Sequence, residues 1–263
     1  MVGLRDRLER RHRHAAATAR LGATRADAFV LWALMMLPAI KHRIPGVRDR
    51  PLRVDVELRG GRHRLALADR SDAMTLYDLF VRGEYDVGLA DRPRTVVDLG
   101  AHGGLSVLFF RAAFPGVEVL AVEPNPASFE RLRANVGALP GVRLLHSAVG
   151  AADGEARLDV RGESWAARLD AAGAVRVPLR RLDGLLREAG VDETSAVLKI
   201  DVEGAEWDVL SSLGAPLRFA AVVGEFHPRL APVDADRFFS LFEGFEVRRP
   251  AGTDAFTAIR TAG

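Results

Sequence analysis

A chain of 263 residues, 48% apolar and 27% charged, has the balance of a globular protein built as one large domain or as a domain with an appendage. Cysteine is absent, which excludes disulfides, thiolate metal sites and a cysteine nucleophile, and fits a cytoplasmic setting. Charge is uneven: residues 1–50 hold 11 basic and 4 acidic groups against a total of only +2, so a basic leader precedes a mildly acidic body that has no basic stripe for nucleic acid.

In chain order, "ADAFVLWALMMLPAI" (26–40) is the most apolar stretch. It is too short to span a bilayer and is interrupted by Pro38, so it reads as a helix from Thr24 as N-cap to Leu37. Packing on the body is the favoured use of that helix, ahead of a homodimer contact through the region of Trp32 or a membrane surface. Residues 52–68 alternate apolar and polar around Arg59-Gly60-Gly61, a hairpin signal. A helical connector follows, with Met74, Leu76, Tyr77, Phe80 and Val81 on one face. Residues 1–50 thus form an N-terminal helical extension, 51–93 a hairpin and connector, and 94–263 the main body.

From Thr95 short strands alternate with helices. Strands are expected at 95–99, 118–123, 142–147, 196–201 and 219–225, and helices at 105–114, 126–137, 182–189, 205–213 and 234–242. Asn125 as N-cap before Pro126 marks the second of these helices. Such alternation implies a mostly parallel sheet covered on both faces, and two last strands near 245–248 and 256–260 close it as an antiparallel pair.

Ligands of open α/β sheets bind beyond the carboxyl ends of the strands. The polar residues there are Asp98, Glu123, Ser147, Asp201 and Glu225, four of them acidic. That concentration repels a pyrophosphate and suits a cation. The glycine spacing agrees, because His102 stands where a dinucleotide fingerprint has its second glycine. A positively charged nucleoside such as S-adenosyl-L-methionine fits better. Asp98 receives its ammonium, the amides of 103–105 its carboxylate, Glu123 its ribose diol, and Pro124, Asn125, Ser147, Ala148 and Val149 its adenine.

The strings "VVDLGAHGGLS", "VLAVEPNPASFERLRANV", "SAVGAADGEARL", "VPLRRLDGLL" and above all "LKIDVEGAEWDVL" resemble the FkbM family of S-adenosylmethionine-dependent methyltransferases, and "LYDLFVRGEYD" resembles a segment before its first motif. The resemblance runs from about Leu76 to Pro228. It implies an α/β class I methyltransferase (Rossmann-like) fold, with a seven-stranded, mostly parallel sheet whose last strand is antiparallel. It also implies O-methylation of a hydroxyl on a small natural product or sugar. By that resemblance Asp98, Gly100, Glu123 and Asp201 take the cofactor-site role, and Tyr85, Ala101, His102, Gly104, Leu105 and Ser106 are further candidate cofactor residues. His102 is a departure, since relatives often carry Asn there.

For the proton of the acceptor hydroxyl, His227 in "GEFHP" is the preferred base, with Asp201 and Glu203 shaping the site. Alternation along an extended chain points Asp201 and Glu203 toward the crevice and Val202 away, with Glu203 as a helix cap the competing role. Lys199, inside a strand, needs a carboxylate partner. No metal is assigned, although Asp201, Glu225 and His227 are suitable ligands and form the runner-up mechanism. A nicotinamide-dependent oxidoreductase and a non-catalytic cofactor-binding module are the competing functions. Specificity is expected in the leader, the hairpin and the stretch 161–176, with Trp165 covering the acceptor.

Overall fold

The computed structural model describes residues 4–37, 50–59, 61–89, 91–160, 168–170, 172–214 and 216–261. The chain begins with α1 (Leu4–Ala19) and α2 (Arg25–Met36). Thr24 caps α2 by accepting the amide of Asp27, as its position in the sequence predicts. The buried face of α2 is Leu31, Leu34 and Met35, while Phe29 faces solvent. A hairpin follows, β1 (Leu52–Leu58) with β2 (Gly61–Leu67), paired through seven registers; Gly60 of its turn lies outside the described residues. Next comes α3 (Arg70–Leu76), which widens into a π-helical turn over Tyr77–Arg82. The wider turn shifts the helical phase, so Leu79 is buried and Val81 is exposed, against the stripe expected from 3.6-residue periodicity.

The body contains β3 (Thr95–Leu99), α4 (Leu105–Ala113), β4 (Glu118–Val122), α5 (Pro126–Val136), β5 (Val142–Leu145), β6 (Ala148–Gly150), β7 (Gly154–Asp159), β8 (Arg168–Leu169), β9 (Val175–Arg181), α6 (Leu182–Ala189), β10 (Ala196–Ile200), α7 (Glu206–Ser211), β11 (Ala221–Glu225), α8 (Ala235–Phe239), β12 (Phe245–Arg248) and β13 (Ala255–Arg260). Seven strands make the main sheet in the order β12-β13-β11-β10-β3-β4-β5. All neighbours pair in parallel except β13, which runs antiparallel to both β11 and β12. Every residue of β3 and β10 is buried, as strands covered on both faces require. The chain steps from β3 outward to β5, then returns to β10 on the other side of β3. The crevice of an open sheet lies at such a reversal.

Beside the hairpin and the main sheet lies a four-stranded sheet, β6-β9-β7-β8, that the strand pattern does not predict. The expected strand 142–147 ends at Leu145, and Ala148–Gly150 pairs with β9 instead. One apolar cluster runs from Ala15, Leu31 and Met35 through Val54, Val56 and Leu76 to Val96 and Phe110. The N-terminal helices and hairpin therefore share a core with one face of the main sheet. Among the described residues no helix is long and apolar enough to cross a membrane.

Candidate cofactor cleft and acidic rim

A cleft open to solvent, about 1070 Å³ in volume, lies over the carboxyl ends of β3, β4 and β10. Its lining includes Tyr85, Gly100, Ala101, His102, Leu105, Ser106, Glu123, Pro124, Ser147, Ala148, Val149, Asp201 and Glu203. Glu123 is buried at the end of β4. Its Oε2 accepts the amide of His102 and its Oε1 that of Asn125, each at 2.8 Å. Each oxygen keeps a lone pair for a further donor. Burial pushes the Glu123 carboxyl up to about 7, and the two amides hold it from going higher.

The glycine loop is held from several sides. Gly100 has φ +77°, and a Cβ there would lie 1.9 Å from the carbonyl oxygen of Asp201. Only glycine permits both the left-handed backbone and that approach. Gly100→Ala is expected to cost about 1–2 kcal/mol from backbone strain alone, with the collision adding to it, and a thermal melt at or above the wild-type midpoint would contradict the geometry. His102 also has positive φ, 48°. Its Nε2 faces a guanidinium nitrogen of Arg131 at 2.9 Å; arginine only donates, so Nε2 accepts and the proton sits on Nδ1, 3.3 Å from buried Asp72. Burial holds the imidazole below its usual range, consistent with that neutral form. The N-terminal α3 therefore braces the loop through Asp72, and Asn135 ties Gly103 to the hairpin at Ala66.

Three expected cofactor residues do not line the cleft. Asp98 is fully buried beneath it, with Oδ2 accepting the Ser106 hydroxyl at 2.5 Å and Oδ1 3.4 Å from the ammonium of Lys199. Gly104 faces α5, where a Cβ would meet Leu132 at 3.0 Å. Asn125 caps α5 and supplies an amide to Glu123. All three support the floor rather than contact the space above it. Lys199 finds partners in Asp98 and in Asp201 at 3.6 Å, and donates to the carbonyls of Leu99 and Gly100 at 3.2 and 2.7 Å. Against the cost of its burial, Asp98 and Asp201 hold it above the usual lysine range.

The acidic rim corrects two further expectations. Glu203 has φ 50°, so the chain after β10 is not extended, and Asp201, Val202 and Glu203 all line the cleft. Glu203 does not cap α7, whose N-cap Ala205 makes no side-chain cap bond; the turn before the helix is instead held by fully buried Glu206, which accepts the amides of Val202 and Gly204 at 3.2 and 3.1 Å. His227 sits behind this turn among three carboxylates: Glu206 at 3.0 Å, Glu225 at 3.5 Å and Glu203 at 3.6 Å. Burial opposes its charge, but the bonds to Glu206 and Glu225 outweigh it and raise the imidazole to about 11. A group protonated through neutral pH cannot collect another proton, so His227 in this state is not the base. Burial and Asp201 lift the Glu203 carboxyl to about 7.

Sequence reasoning missed the wall opposite: Thr75, Asp78, Leu79 and Glu84, with Leu158 from β7. Burial, with Asp78 and Glu225 nearby, raises Glu84 to about 7, although Arg82 lies 3.1 Å away. The signal for this wall was the segment around "LYDLFVRGEYD", but nothing local tells a lining side chain from a solvated one. Trp165 lies outside the described residues.

A model of the methyltransferase FkbM domain matches residues 98–247, more than half of the chain. The chain belongs to the FkbM methyltransferase family. The FkbM match starts at Asp98 and covers the sheet through β12, but not the 75–85 wall of the cleft. Methyltransferase sdnD of Sordaria araneosa is 29% identical over 179 residues, covering 54% of this chain and 69% of that protein. The 2-O-methyltransferase NoeI of Sinorhizobium fredii is 30% identical over 148 residues, covering 48% of this chain and 60% of that protein. Among solved structures, Aeropyrum pernix fibrillarin with natively bound S-adenosyl-L-methionine aligns at 14% identity and a TM-score of 0.41, over 68% of this chain and 72% of that one.

Proposed function

We propose that the chain is an S-adenosyl-L-methionine-dependent O-methyltransferase acting on a hydroxyl of a small natural product or sugar. The observation that carries this reading is Glu123. It is a buried carboxylate at a strand end, fixed by two amides and still lining the cleft, which is the pair of acceptor oxygens that the two hydroxyls of a ribose diol donate to. Family membership supports methyl transfer, and the name of the relative NoeI supports oxygen as the site.

The cofactor supplies, when bound, an electrophilic methyl on a sulfonium that leaves as a neutral thioether. Glu123 holds the ribose. Pro124, Ala148, Val149 and Leu158 offer an apolar slot for the adenine, and the loop from Gly100 to Ser106 covers the amino acid portion. Asp201, Glu203, Glu225 and Glu84 give the cleft the negative potential that favours a cation. The acceptor oxygen meets the methyl beside this rim, and Glu203, which lines the cleft while His227 stands behind it, takes the hydroxyl proton. Holding the two reactants aligned supplies most of the rate.

Calorimetry with S-adenosyl-L-methionine, followed by transfer of a labelled methyl to a panel of sugars and hydroxylated metabolites, tests the proposal. Mass spectrometry must place the label on oxygen, and affinity without any transfer would favour the non-catalytic module. Glu123→Gln is expected to weaken cofactor binding about tenfold. Wild-type affinity should fall about fivefold between pH 7 and pH 6, because a protonated Glu123 loses the charge that accepts the diol. The variant should lose most of that dependence, the remainder coming from Glu84 and Glu203, which titrate in the same range, and a pH-flat wild type argues against the ribose role.

A further inference from the structure

We propose that Asp201, Glu225 and His227 bind one hard divalent cation, Mg²⁺ or Mn²⁺, at the edge of the cleft between its acidic rim and the imidazole behind it, and that this ion chelates an acceptor carrying a second oxygen beside the hydroxyl to be methylated. The acceptor half rests on the O-methyltransferase reading; the ion itself does not. The three side chains leave two neighbouring parallel strands. Ile200 of β10 pairs with Gly224 of β11, so residues 201 and 225 emerge side by side. One ligand atom from each of the three lies within 4.8 Å of the other two. Octahedral donors about 2.1 Å from a common ion stand about 3.0 Å apart when adjacent and about 4.2 Å when opposite, so side-chain rotations that close the set by about 1–2 Å bring it onto an ion.

Glu206 is the independent observation. It is fully buried on α7, outside the three-residue set, and it accepts the Nδ1 proton of His227 at 3.0 Å. That bond fixes the ring with Nε2 turned toward Glu225 and Glu203, at 3.5 and 3.6 Å. A carboxylate behind an imidazole is the arrangement by which metal sites orient the ligating nitrogen. In the free protein those carboxylates hold a proton on Nε2. The ion takes its place and the proton goes to solvent.

Charge balance favours the same occupant. Asp201, Glu203, Glu225 and Glu84 share one cleft. Lys199 reaches Asp201 at 3.6 Å, Arg82 reaches Glu84 at 3.1 Å, and His227 is the cation between Glu203 and Glu225. A dication adds what those groups leave uncompensated. Two carboxylates and one imidazole suit a hard or borderline ion, and three protein ligands leave octahedral positions for two acceptor oxygens and a water. The ion lowers the proton affinity of the coordinated hydroxyl. Its proton passes to Glu203, the oxygen–methyl bond forms and the sulfur–methyl bond of the donor breaks.

The test uses the full chain, stripped with EDTA, desalted and titrated with Mn²⁺ while electron paramagnetic resonance reports the free ion. We expect one Mn²⁺ per chain. Binding should weaken at least about tenfold in Asp201→Asn and in Glu225→Gln, and about 10–100-fold in Glu206→Gln, which leaves all three ligands in place. Near-UV circular dichroism checks folding, and either folded ligand variant decides. Absence of stoichiometric binding in the wild type, or wild-type binding in a folded ligand variant, overturns the site. Calorimetry with S-adenosyl-L-methionine on the stripped protein separates the two proposals. Cofactor binding without Mn²⁺ binding sinks the ion alone, and the reverse sinks the methyl-transfer reading alone. With Mn²⁺ present, vicinal diols should be methylated at least about tenfold faster than matched mono-alcohols; equal rates overturn the acceptor half.

Discussion

Asp98→Ala is expected to destabilise the protein by about 3–5 kcal/mol, the usual cost of removing one partner of a buried ion pair. Both Asp98 and Lys199 are buried, and the alanine variant leaves the ammonium with Asp201 at 3.6 Å and two backbone carbonyls. It also frees the Ser106 hydroxyl at the start of α4. Denaturant unfolding measures the loss. The double variant Asp98→Ala/Lys199→Met should recover part of it, because no charge is then buried without its partner. Reduced cofactor affinity with unchanged stability would mean instead that Asp98 reaches the ligand, as its strand-end position first suggests.

Glu203→Gln is expected to lower kcat about a hundredfold while cofactor affinity stays within about twofold, the signature of a lost proton acceptor and not of lost binding. The amide keeps the volume of the side chain and its place at the rim, and removes only the charge that takes the proton. The backbone favours a functional role. A non-glycine residue at φ 50° between strand and helix carries strain, and such strain gathers at working sites. The buried groups that shape the turn belong to Glu206, so the substitution leaves the turn's own hydrogen bonds in place. An unchanged rate in a folded variant would move proton acceptance to Asp201 or to solvent.

The carboxylates at strand ends show how far sequence reaches. Glu123 and Asp98 both stand at the end of a buried strand next to a turn, and in the sequence they look alike. The structure places Glu123 in the cleft and Asp98 under it, where Asp98 pairs with Lys199, about a hundred residues further on and itself part of the cleft lining. His227 is a similar case. An imidazole before a proline reads as a base titrating near neutrality, but Glu203, Glu206 and Glu225 gather around it and hold it charged. The π-turn in the connector belongs here too. One extra residue per turn rotates Leu79 inward and Val81 outward, and periodicity alone does not register the shift.

What the sequence by itself determined was local: the alternation of strand and helix, the caps at Thr24 and Asn125, the glycine turn after β3, and the acidic ends of the strands. Each of these rests on periodicity, capping or backbone sterics acting over a few residues, so a linear reading suffices. Tertiary structure alone decided which carboxylate faces the cleft, which group keeps its proton, and which N-terminal segment closes the wall. Those outcomes depend on burial and on charges brought within 4 Å from distant parts of the chain, and the energy of a charge is set by whatever surrounds it in space.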